Sequence, residues 1–303
     1  MLIQLAEIFV TVITPVFGMV LIGYFAGPRL QLEARSLSRA AYYLFIPAFV
    51  FQVISQAQVA AGALGVMIAY GMAIVLATAA LGALVARMLH KPAPMIAAFA
   101  LIASFGNVGN FGLPLIEFRL GPDAQMPATI YFLVISLTAF VVGVGAANWV
   151  RGGKLRAMLA VIKTPALLAL LPALFFARSG MVIPLPLQRI VGLLAAAMIP
   201  VMLLALGVQL AASAGGLRLE GDVWLASGVR LLGGPLLAAG LALAFGIQGV
   251  ERATAVVQSG MPAAVLTSII ALEYDLLPDF VTSTVLFSTI ASIFTLTLLL
   301  AMI

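Results

Sequence analysis

From Val281 to Ile303 the chain reads VTSTVLFSTIASIFTLTLLLAMI, without one ionised side chain. A run of that length and apolarity admits few structures. Wound as an α-helix, about 20 such residues cross the ~30 Å hydrocarbon layer of a bilayer with every backbone group bonded internally. Runs of this kind fill the chain, and ten can be drawn: 3–26, 36–56, 63–88, 93–119, 127–149, 164–178, 186–212, 222–247, 251–273 and 279–302. They do not alternate apolar and polar residues with a period of two, so membrane β-strands are excluded. Hydrophobic residues make up 64% of the chain and charged residues 8%, too few charges to cover a water-soluble core of this size. The expected class is an all-α integral membrane protein with ten transmembrane helices.

The first run passes straight into the polytopic pattern and has neither a basic start nor a small-residue cleavage site. It reads as a helix and not as a removable signal peptide. Absence of cysteine removes disulfides, thiol catalysis and thiolate metal ligands, and a single histidine leaves no zinc cluster. No cofactor and no metal are expected. The net charge of +5 comes from basic residues scattered through short loops, which is how inner-membrane proteins set their orientation, and nucleic acid is not an expected partner. With the N-terminus outside, Arg29, Arg35, Arg39, Arg87, Lys91, Arg151, Lys154, Arg156, Lys163 and Arg218 fall on the cytoplasmic side. Only Arg119, Arg178, Arg189 and Arg252 fall outside. Lysine and arginine favour the cytoplasmic side, so both termini are expected outside the cell (inner or plasma) membrane.

The longest basic connection, RGGKLRAMLAVIKTP (151–165), lies at the midpoint of the ten spans. It divides a first five-helix repeat, 1–150, from a second, 164–303, through a cytoplasmic linker, 151–163. Five is odd, so a duplicated half must re-enter the membrane upside down. Weak duplication is visible. The second span carries FIPAFVF around Pro47 after Arg39, and the seventh carries MIPVMLLAL around Pro200 after Arg189. The fourth span is interrupted by FGNVGNFGLP (105–114) and the ninth by QSGMPAAV (258–265). Interrupted helices at matching positions of two inverted repeats point to the binding site of a secondary transporter.

An unwound stretch in hydrocarbon leaves backbone groups unpaired at several kcal/mol each, so it survives only against protein or a water-lined cavity. Pro114 and Pro262 are the expected helix breakers. Gly106, Gly109 and Gly112 allow close approach to the backbone. Asn107 and Asn110 supply donors without formal charge, suited to a carboxylate resting on half-helix N-termini, each worth about half a positive charge. Gln258, Ser259 and Met261 are expected on the opposite wall. Pro15, Pro165, Pro172 and Pro235, taken singly, read as kinks.

The stretch GNVGNFGLPL (106–115), with QSGMPAAVLTSIIALEYDLLPDFVTSTVLFSTIASIFTLTLLL (258–300), resembles the auxin efflux carrier family of plant auxin carriers and bacterial carriers of malonate and malate. The likeness runs over essentially the whole chain. It implies two inverted five-helix repeats, a homodimer, a scaffold of the first, second, sixth and seventh helices, and a mobile crossover domain made of the other six. Asn107 matches the asparagine that contacts the substrate carboxylate in the plant carriers, and Pro262 matches the second crossover proline. Val50 stands where those carriers place a serine, and a short linker replaces their large cytoplasmic loop, which argues against an indole-like ligand.

Ionisable residues inside a span are functional suspects. Arg230, some eight residues into the eighth span, either provides counter-charge for a second carboxylate or snorkels to the interface. Glu7 reads as interfacial, Glu117 and Arg119 as marking the outer mouth, and His90 as solvent-facing. No Asp or Glu falls between Phe99 and Leu115 or between Ala253 and Leu272. A bare coupling cation or a carried proton calls for such a carboxylate, so the pattern favours an anion held by neutral donors. The function expected is therefore secondary transport of a small mono- or dicarboxylate by alternating access, with elevator-like movement of the crossover domain. Membrane potential or proton symport could drive it. The alternatives are a sodium-coupled symporter resembling bile-acid carriers, a passive channel, and a membrane-embedded enzyme, for which no catalytic constellation is visible.

Overall fold

The computed structural model describes residues 2–56, 61–151, 165–213 and 220–303, and no strand occurs among them. The linker beyond Arg151, with Lys154, Arg156 and Lys163, and the loop residue Arg218 lie outside the described residues. Helix α1 joins Leu2–Ile8 to Thr14–Arg29 through a π turn at Phe9–Ile13, and α2 joins Ala34–Ala40 to Ile46–Ser55 through a π turn at Ala41–Phe45. Next come α3 (Ala61–Met88), α4 (Ala93–Ser104), α5 (Leu113–Leu120), α6 (Gln125–Arg151), α7 (Pro165–Ser179) and α8 (Leu185–Ser213). Helix α9 joins Gly221–Gly228 to Gly234–Phe245 through a π turn at Val229–Gly233. The chain closes with α10 (Gly249–Ser259), α11 (Val265–Glu273) and α12 (Pro278–Met302).

Seven helices among the described residues are long and apolar enough to cross a membrane, and Ala93–Ser104 and Pro165–Ser179 are shorter apolar ones. The chain is therefore a multi-pass, all-helical membrane protein. The 12 residues of α4 rise about 18 Å, roughly half a bilayer core. The 11 residues of α10 do much the same before their own break.

Proline accounts for the recurrent π turns. Pro15, Pro47, Pro114 and Pro235 each follow a π turn by two residues: Phe9–Ile13, Ala41–Phe45, Val108–Gly112 and Val229–Gly233. The pyrrolidine ring lacks an N–H and crowds the carbonyl of the preceding turn, and one extra residue in that turn relieves the clash. Accordingly the N–H just before the proline reaches back five residues, from Thr14 to Phe9, Ile46 to Ala41 and Leu113 to Val108. The expected kinks at Pro15 and Pro235 thus take the form of π turns. Pro165 instead opens α7, and Pro172 and Pro200 lie inside α7 and α8.

Large apolar side chains lie on the surface as well as in the core, and polar residues join the core. Leu171, Leu193, Leu243 and Phe294 stand exposed, while Thr78, Thr129, Thr254, Thr267, Ser283, Thr284, Ser288 and Ser292 are buried. Lipid is as apolar as leucine, so the helices gain nothing by hiding large apolar side chains and associate instead through small residues, close packing and internal hydrogen bonds. Buried hydroxyls turn back onto their own helix, as Thr78 does to the Ile74 carbonyl and Thr289 to that of Val285. Helices α1 and α8 meet most extensively and run the same way, with Gly23 against the Leu204 backbone, Gly27 against Val208 and Gly207 against Val20 and Tyr24. Helix α2 packs on α7 and α8; α3, α4 and α6 pack on one another; α9 packs on α3, α10 and α12. Lys91 in the α3–α4 turn pairs with Asp222 at the start of α9, 2.8 Å apart. Elsewhere, Arg119 Nε donates to the Leu300 carbonyl at 3.1 Å.

Candidate functional site

The two breaks meet each other. Gly106 and Ala263 form an isolated antiparallel bridge, in which the Asn107 N–H donates to the Pro262 carbonyl at 2.7 Å and the Ala264 N–H to the Phe105 carbonyl at 2.9 Å. Proline at 262 has an acceptor but no donor, and here only its acceptor is needed. The Ala263 N–H is taken by Ser288 Oγ of α12 at 3.2 Å. The sequence left protein or a water-lined cavity as ways to satisfy the unwound backbone, and here the opposite break does so for much of it, as burial without water requires.

Asn107 is 6% exposed. Its carbonyl accepts from the N–H groups of Phe111 and Gly112, both at 3.2 Å, which starts the turn leading into α5. Its side-chain Nδ2 is buried and has no protein partner. Asn110 is half-buried, three residues on. A Cβ on Gly109 would come within 3.0 Å of the Phe132 ring and 3.2 Å of the Met202 methyl, so α6 and α8 wall this side. Gly112 is roomier, with Gln258 Cγ and Met261 Cγ both 3.6 Å from where a Cβ would lie. Those two residues therefore face the first break. Gln258 is fully buried; its Nε2 donates to the Ala128 carbonyl at 2.9 Å, and its Oε1 is unpartnered. Ser259 turns its hydroxyl back to the Ala255 carbonyl at 2.7 Å and offers only its own carbonyl to the crossing. Pro114 is buried in the first turn of α5.

Arg230 does not snorkel. Its side chain, 2% exposed, runs from the α9 π turn into the back of the crossing. Nε donates to the Met261 carbonyl at 2.8 Å and Nη1 to that of Ala103 at 2.6 Å. Nη2 donates to the carbonyls of Ser259 at 3.1 Å and Gln258 at 3.5 Å. Gly106 lies directly against the guanidinium, and a Cβ there would collide with Nη2. Four of the five donors of the fork are thus spent on backbone carbonyls.

The family model described as "Membrane transport protein" matches residues 8–152 and 154–300. Along 96% of the chain, and 94% of the relative, the sequence is 25% identical to a "Putative malonate transporter" of Rhizobium meliloti (strain 1021). It is 35% identical over 65 residues, 22% of this chain and 11% of the relative, to "Auxin efflux carrier component 6" of Arabidopsis thaliana. The chain belongs to the auxin efflux carrier family. An "Uncharacterized transporter" of Methanothermobacter thermautotrophicus (strain ATCC 29096 / DSM 1053 / JCM 10044 / NBRC 100330 / Delta H) is 30% identical over 197 residues. That match covers 65% of this chain and 64% of the relative, just under two thirds of its length. The carrier is a membrane transporter and not an enzyme.

Two cavities lie away from the crossing. One of about 390 Å³ is lined by Gln52, Gln56, Gln188 and Arg189 between α2 and α8. Another of about 270 Å³ is lined by Ile54, Leu64, Ile130, Leu133 and Leu170, among α2, α3, α6 and α7. Other charges suspected from sequence stay at the periphery: Glu7 and His90 are exposed, and Glu117 and Arg119 are half-buried at the end of α5. Val50 is buried. Sequence reasoning missed Ser288, Phe132 and Met202. The hydroxyls at 284, 288 and 292 recur every fourth residue, on one face of α12, and would have flagged Ser288. Phe132 and Met202 carry no such signal.

Proposed function

We infer that the carrier moves a small organic anion, a mono- or dicarboxylate, across the cell (inner or plasma) membrane by alternating access. The single observation that carries this is the buried, unpartnered Asn107 Nδ2 at the crossing of two broken helices. A buried amide donor without a partner costs about 1–3 kcal/mol, and a carboxylate oxygen would recover it. The half-helices that begin at Val108 and Val265 add the positive ends of their dipoles, with Asn110 beside them. Similarity to a protein named as a malonate transporter along nearly the whole chain supports a dicarboxylate among the substrates.

In this reading the ten spans form two inverted five-helix repeats divided by the 151–163 linker. The crossover domain of spans three to five and eight to ten slides, elevator-like, against a scaffold of spans one, two, six and seven. The packing of α1, α2, α7 and α8 on one another supports that division. Gln258 and Met261 complete the substrate wall, both termini lie outside, and the protein is a homodimer. The test is uptake of labelled malonate and related mono- and dicarboxylates into vesicles reconstituted with purified carrier. Wild type should show saturable uptake and counterflow. Asn107→Ala, inserted and melting as wild type, should lose uptake at least about tenfold, the equivalent of one charge-assisted hydrogen bond. Equal uptake by the two proteins would rule out the assignment.

A further inference from the structure

The carbonyls gathered around Arg230 come from the ends of two different helices. Ala103 closes α4, Gln258 and Ser259 close α10, and Met261 lies in the break beyond. Each half-helix C-terminus carries about half a negative elementary charge, so the pair presents about one, and one guanidinium balances it. Half-helix C-terminal ends and unwound carbonyls are the groups with which transporters of this construction hold a coupling cation. We propose that the Arg230 guanidinium is a tethered cation occupying that carbonyl site, so that the crossing is held together without sodium. This rests on reading the two breaks as a carrier's crossover.

Three further observations fit a permanent occupant. Gly106 carries no side chain where the guanidinium seats, and a Cβ there would collide with it. Gly234, four residues after Arg230, sits against the Ser259 carbonyl so closely that a Cβ would collide, which brings the α9 backbone up to the end of α10. Neither break contains an Asp or Glu to make a separate cation site, with none from Phe99 to Leu115 or from Ala253 to Leu272. Arg230 is then a positioning residue. It fixes the register of α4 and α10, whose C-terminal ends run into the two breaks.

The experiment measures the melting of purified carrier in sodium chloride and in choline chloride at equal ionic strength, with no substrate present, so its outcome is separate from that of anion transport. Wild type should melt at the same temperature in both salts. Arg230→Ala should melt lower, and its midpoint should climb saturably with sodium, or with guanidinium chloride kept below denaturing concentrations, since a ligand binding only the native state raises its stability by mass action. Arg87→Ala, which alters an exposed arginine at the end of α3, should show no such response. Arg230→Lys keeps the charge with fewer donors and should melt between the two, indifferent to sodium. A saturable, sodium-specific rise in wild type would overturn the proposal, and so would a folded Arg230→Ala protein that responds to neither cation. If Arg230→Ala does not fold, wild type and Arg230→Lys decide: sodium indifference in both supports the tethered cation, and a sodium response in either sinks it.

Discussion

Asn107 divides its work between two sets of atoms. The backbone N–H and carbonyl hold the crossing and start the turn into α5, and the side-chain Nδ2 has no protein partner. Truncating the side chain should therefore remove transport and spare the fold, which is why Asn107→Ala separates the two in vesicle uptake and melting. Glycines at the same break differ sharply. Gly106→Ala drives a methyl into the Arg230 guanidinium and should cost about 1–3 kcal/mol in chemical denaturation, as overpacking of a filled site does. Gly112→Ala meets only ordinary contacts at 3.6 Å and should stay within about 0.5 kcal/mol of wild type. The cluster of glycines and asparagines was legible as a break. Which glycine is sterically obligatory was not, because the colliding atoms belong to residue 230.

At the scale of a helix, proline sets local geometry and neighbours decide what it is used for. Pro235 follows the π turn that contains Arg230, and that turn rotates the side chains before it relative to those after it. Replacing the proline permits a regular α-helix and removes the reason for the extra residue, which alone is worth a rotation of ~100°. Pro235→Ala should thus misaim Arg230. The expected outcome is a lower melting temperature and faster hydrogen exchange at Ala103 and Met261 compared with Pro172→Ala, whose proline lies within α7, away from the crossing. Position 235 as a kink was readable from sequence. A π turn was not, since proline permits either a simple bend or an inserted residue, and packing against Ser259 and Leu81 selects between them.

Among the described residues, large apolar side chains such as Leu193 and Phe294 face outward, while the interior holds an apolar core around Phe99, Phe111 and Tyr131 together with hydroxyls, amides and one guanidinium. The cysteine-free chain suits a direct test of sidedness. Single cysteines at Gln4 and Ile303 should react with an impermeant maleimide in intact cells, and His90→Cys only after permeabilisation; the reverse pattern would invert the proposed orientation. Gln4 and Ala301 are joined by a 3.4 Å hydrogen bond, so the two terminal positions should label together. Membrane class, helical build and the positions of both breaks follow from the sequence by itself, because run length, charge frequency and Gly-Pro content are properties of consecutive residues. Only the tertiary structure decided that the breaks pair with each other across Gly106 and Ala263, and that Arg230 closes both helix ends instead of reaching for lipid headgroups. Hydrogen bonds between residues 103, 230 and 259 depend on where remote segments cross, and a guanidinium buried in hydrocarbon takes the carbonyls that the crossing brings to it.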